Sequence, residues 1–248
     1  MDTDLVLGIK AAARIVATVL LGTLVATGAV SCAPGGPGSL GASRNADAGG
    51  LTQVEAGALS IEEQFDLVRE RDARMQELLT DAQLVISDGV WGWGQKGVGP
   101  ITGPNIWALP GMTEENSYFL QMWRAVNPAG ATGAKQDLDP MVAYFKSKGW
   151  EVELRESSGP SFEARAETED GFFVSWTVQA NGQYNMEVMS QSYWGDSRTL
   201  LHEIVDRIPP EETAINESLP GVYIRFPDWS DPVDYAPNLQ DHGEDQDE

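Results

Sequence analysis

The chain holds one cysteine and two histidines in 248 residues. A lone cysteine, Cys32, cannot close an internal disulfide and cannot build a structural zinc site. Basic residues are also scarce, 16 Lys+Arg against 38 Asp+Glu, for a formal net charge of −22. That balance argues against nucleic acid or anionic headgroups as partners, because like charges repel and no basic patch offsets the mean. It keeps a chain soluble. Long apolar runs are missing too. The longest, residues 15–30, has 16 residues, short of the roughly 20 that cross a bilayer as a helix. No G-x-S-x-G element is present, and the glycines of "GVWGWGQKGVGP" lack the spacing and the Lys-Ser/Thr end of a phosphate-binding loop. The pattern calls for no cofactor and no metal.

What is present begins with a leader. Lys10 and Arg14 supply positive charge, "IVATVLLGTLVATGAV" supplies an apolar core, and small residues lead to the cysteine. The stretch Ala29-Val30-Ser31-Cys32 resembles the bacterial lipobox, with Ala29 standing where a larger aliphatic residue is usual. The resemblance implies that residues 1–31 are a signal peptide removed just before Cys32, and that Cys32 carries a diacylglycerol on its thiol. A thiol is the strongest nucleophile among the side chains for such a transfer. Two acyl chains at roughly 0.8 kcal/mol per buried CH₂ hold a domain at a membrane where one does not. After Cys32, the stretch "APGGPGSLGASRNADAGG" is rich in small residues without apolar period, and residues 32–59 are expected to form a flexible tether.

A single α+β domain is expected over residues 60–230, with an acidic tail over 231–248. Ser60 and Glu63 form a capping box ahead of "IEEQFDLVRERDARMQELLTDAQLVI", where apolar residues recur every three or four positions and Asp72 interrupts them. Thr113 with Glu114 and Glu115 suggests a short helix through "EENSYFLQMWRAV". "DLDPMVAYFKSKGW" has Asp139 as a cap candidate, a proline suited to the first turn, lysines in the last turn, and Gly149 to end it in the left-handed conformation. The period then becomes two. "WEVELRE" and the three strands of "SFEARAETEDGFFVSWTVQANGQYNMEVMSQSYW" are joined at Asp170-Gly171 and Asn181-Gly182, both hairpin signals. The expectation is a four-stranded antiparallel meander covered by two to four helices. Asp196 or Ser197 can cap a further helix, and residues 221–226 offer one more short strand.

The leader, the lipobox and the region from "FKSKGWEVELRE" through "DGFFVSWTVQANGQYNMEV" look similar to uncharacterised membrane-anchored lipoproteins of actinobacteria. The resemblance implies attachment through Cys32 to the outer face of the cytoplasmic membrane, and it assigns a role to no other residue.

Few residues suggest chemistry. Trp91, Trp93 and Trp107 lie in one glycine-rich stretch, where indoles either fill a core or stack a ligand. His202 has Asp206 one helical turn away but no nucleophile pattern. Asp228, Asp231 and Asp234 are three apart, unlike a calcium loop. The expected role is non-enzymatic: binding of an envelope protein or cell-wall component by a membrane-held module. The alternatives are a cell-envelope hydrolase using carboxylates, or a small-ligand binder acting through the three tryptophans.

Overall fold

In the computed structural model the residues described are 45–157 and 159–233. Two helices open the fold, α1 (Gln53–Ala58) and α2 (Ile61–Ile86), followed by strands β1 (Trp91–Gln95), β2 (Ile101–Thr102), β3 (Ser117–Phe119) and β4 (Gln121–Val126). A 3₁₀ turn at Lys135–Leu138 leads into α3 (Asp139–Ser147), and then come β5 (Val152–Ser157), β6 (Ser161–Glu167), β7 (Phe172–Gln179), β8 (Tyr184–Ser190) and β9 (Tyr193–Trp194). The chain ends through α4 (Ser197–Val205), α5 (Pro210–Thr213) and β10 (Glu217–Ser218). The class is α+β, but the meander is wider than its four strands. The sheet has seven, in the order β10-β1-β4-β8-β7-β6-β5, and a second sheet runs β2-β3-β9.

Of the three strands this sheet adds to the meander, β10 is a two-residue edge, and β1 and β4 come from places where local signals misled. Thr113 caps no helix. Its hydroxyl accepts the Glu115 N–H at 3.3 Å, and Asn116 Oδ1 accepts the Thr113 N–H at 2.7 Å, so the residues close a turn. "SYF" and "QMWRAV" then run as β3 and β4. The glycine-rich WGWGQ forms β1, antiparallel to both β4 and β10. Residues 221–226, by contrast, form no strand. The packed domain also includes residues ahead of Ser60. Helix α1 carries its own capping box at Thr52 and Glu55, and the buried Asp47 carboxylate accepts the Leu51 N–H at 3.0 Å and the Trp194 N–H at 2.9 Å.

Helix α2 is where the sequence pattern spoke most clearly. Ser60 Oγ accepts the Glu63 N–H at 3.2 Å, and the Glu63 carboxylate accepts the Ser60 N–H at 2.7 Å. Phe65, Val68, Met75, Leu79 and Ala82 are fully buried in one core with Met122, Val174, Trp176, Met186 and Val188 of the sheet. Each large side chain of this kind contributes roughly 1.5–3 kcal/mol on burial. The cap of α3 differs from expectation. Leu138 holds the cap position, Asp139 is the first helical residue, and Gly149 (φ +79°) follows the C-terminus. Asp137, just upstream, accepts the Thr132 N–H at 2.9 Å, the Gly133 N–H at 3.1 Å and the Tyr184 hydroxyl. Those bonds hold its carboxyl below the usual range, the Tyr184 bond first among them.

Candidate functional site

Strand alternation gives the seven-stranded sheet two faces. One lies under the helices and is mainly apolar. Along the other, cross-strand partners form a row: Trp123 opposite Glu187, Glu187 opposite Ser175, Ser175 opposite Arg165, and Arg165 opposite Glu153. Beside it run Ala125, Asn185, Thr177, Glu163 and Arg155, paired in the same way. A face built for the core would not carry such residues.

The local sequence explains how Trp123 is seated. In Trp91-Gly92-Trp93-Gly94 both indoles fall on the helix side and both glycines on the opposite side. A Cβ at Gly94 would sit 2.1–2.2 Å from three carbons of the Trp123 indole. The missing side chain is therefore the bed on which that ring lies. Trp123 is only half-buried. Directly across, Glu187 accepts a hydrogen bond from the Gln121 amide. Asn185, diagonal to Trp123, is half-buried and its Oδ1 meets no hydrogen-bond partner among the described residues.

Further along the row, Arg165 Nε donates to Glu163 Oε1 at 3.0 Å and to Ser175 Oγ at 3.2 Å. Their side chains keep only 13% and 14% of their exposure, so this ion pair is better shielded from water and salt than the surface pairs. Trp107 stacks on Phe173 with centroids 3.7 Å apart and planes 12° from parallel, and the Arg165 guanidinium lies 5.5 Å from the Trp107 ring. A cleft of about 360 Å³ opens beside them, between Glu151, Glu153, Glu167 and Phe173.

The helix side also contains charge. Asp72 occupies the sheet-facing stripe of α2 at 3% exposure. Burial pushes its carboxyl up to about 7, against the opposing pull of the Gln76 amide that donates to it at 2.7 Å. Arg124, almost fully buried on β4, stacks over Trp93 at 4.1 Å, and burial draws its guanidinium down to about 10. Tyr223 closes this seam, its hydroxyl 2.9 Å from that of Thr80 and donating to Gln76 O at 3.1 Å.

The three tryptophans of the glycine-rich stretch do not meet as one platform. Trp91 is 0% exposed, edge-on to Trp176, and donates to Ser87 O at 3.1 Å. It cannot present a ring face to a ligand. Trp93 is on the same side and donates to Ser218 Oγ at 2.7 Å, while Trp107 lies across the sheet on Phe173. His202 Nδ1 stands 3.7 Å from Asp206 Oδ2 at the exposed surface. Asp228 and Asp231 hold Arg225 at 3.0 and 2.6 Å. Cys32 and Asp234 lie outside the described residues. The residues the sequence reading passed over are Trp123, Glu187, Asn185 and Arg165. Their signal was the polar half of each strand's alternation, in "YNMEVMS" and "SFEARAE".

Among the described residues, no helix is long and apolar enough to cross a membrane, and no group of three His, Cys, Asp or Glu side chains is placed to hold a metal. No family model matches the chain, and neither a curated protein nor a solved structure matches it.

Proposed function

We propose that this chain is an extracytoplasmic lipoprotein, anchored to the cell membrane through Cys32, whose domain binds a component of the envelope. The observation that carries the binding role is the polar and aromatic sheet face opposite the helices. Its indole is bedded on glycine and half-exposed, and its carboxylates are already engaged by Gln121 and Arg165. Such engagement suits recognition better than proton transfer, for which a carboxyl must be free to bind and release a proton. The lipobox-like stretch and the lone cysteine support the anchor.

The early start of the fold bears on how the module would be held. With Asp47 and α1 packed into the domain, at most residues 33–44 separate Cys32 from it. Twelve residues reach at most about 43 Å. The module would then work close to the membrane surface.

The test is the intact mass of the protein purified from its own membranes, beside Cys32→Ala. A mature chain starting at Cys32 with acyl mass, absent from the variant, is the expected result. An unacylated chain cut elsewhere would overturn the anchor.

A further inference from the structure

We infer that the sheet face around Trp123 is a saccharide-binding site that takes a short, uncharged oligosaccharide along the row from Trp123 towards Arg165; this rests on the envelope-binding reading above. The argument starts from the indole. Gly94 lies against the ring, and the indole is half-buried, so part of its surface remains open to a partner. A flat aromatic face attracts the C–H side of a sugar ring by dispersion and burial.

The groups around the ring decide the class of ligand. Gln121 and Asn185 are neutral amides and Glu187 is a carboxylate, all half-buried and within one cross-strand step of Trp123. A purely apolar ligand would strand these polar groups, at a cost of roughly 1–3 kcal/mol for each unpaired one. A pyranose offers hydroxyls that both donate and accept, as the neutral amides of Gln121 and Asn185 do.

Charge narrows the choice. Along the row the sign alternates from Glu187 to Arg165 to Glu153, and Arg165 is already paired with Glu163. The strip mixes both signs and leans acidic at the cleft between Glu151, Glu153 and Glu167, and the whole chain, at −22, repels polyanions. An uncharged ligand with mixed donors and acceptors is the complement of such a strip. Trp123 and Arg165 stand three strand spacings apart, about 14 Å. That length fits several linked sugar rings rather than one.

The experiment is calorimetric titration of the full chain, purified from membranes in detergent micelles, with tetramers of N-acetylglucosamine, glucose and mannose. At least one tetramer is expected to bind saturably. Trp123→Ala is expected to weaken it at least about tenfold. Trp123→Phe, which keeps a ring, is expected to stay within about threefold, and His202→Ala, remote and exposed, to leave binding unchanged. An unfolding midpoint for each variant separates a lost site from a lost fold. The inference is overturned if no tetramer saturates, if Trp123→Ala binds as the parent does, or if tetramethylammonium displaces the bound saccharide, which would make the site a cation cage. Acylated Cys32 without saccharide binding would sink this inference alone. Saccharide binding by an unacylated chain would sink only the anchor.

Discussion

The two faces of the seven-stranded sheet are made from the same strands and differ in what they carry. On the helix side, Val174, Trp176, Met186 and Val188 are fully or nearly fully buried under α2. On the other side, one residue along in each strand, Ser175, Glu187 and Arg165 lie in one row with a half-buried Trp123. Period-two alternation alone would make the second face an ordinary solvated surface. The aromatic residues and shielded ion pair on it are what distinguish it. The first face carries the core, and it is the second to which we assign recognition of a partner.

The largest effect that sharpens this contrast is expected at Trp176, which meets Trp91 and Tyr184 edge-on at 6.2 and 5.5 Å. Trp176→Ala should cost about 3–5 kcal/mol in denaturant unfolding. Asp72 breaks the contrast from the other direction, being a carboxyl on the apolar side. Its folded value, about 7, lies above the ordinary 3.8. Between those two values the folded chain keeps a proton that the unfolded chain has released. Stability should therefore fall as pH rises from about 4 to about 7, then level off. Asp72→Asn should flatten this slope and raise stability at pH 8 by about 2–4 kcal/mol, read from unfolding curves across pH.

A smaller effect is expected at Gly94. Gly94→Ala would drive a methyl group into the Trp123 indole, lift the ring and cost about 1–3 kcal/mol. The emission of Trp123, followed in a background where the exposed neighbours are unchanged, would report the displacement. The smallest effect belongs to the surface pair of Arg74 with Asp170, 2.7 Å apart and over a third exposed on each side. Arg74→Ala should cost under about 1 kcal/mol, and added salt should erase the difference.

How much of this was legible in the sequence depends on whether one signal spoke at a time. Helix α2 combined a capping box with an apolar stripe, and β6–β8 combined alternation with two hairpin turns. Those elements match the pattern. In β4 the buried inward residues are Met122 and Arg124, and an arginine at a core position hid the alternation, while Thr113 imitated a helix cap. In β1 the glycines read as a loop, although they face outward and make room for a ring from another strand. A requirement met thirty residues away cannot be seen locally. The row on the outer face was missed for the same reason. Trp123, Glu187, Ser175 and Arg165 belong to four strands and become a row only when the register is fixed.

The most direct measurement of the division between the faces is denaturant unfolding of Trp123→Ala beside Trp176→Ala. Both remove one indole from the same sheet, from opposite sides. Trp123→Ala is expected to stay within about 1 kcal/mol of the parent, while Trp176→Ala loses at least about 3 kcal/mol. Equal losses would mean that Trp123 is a structural residue, and the claim that its face is held in reserve for a partner would fail.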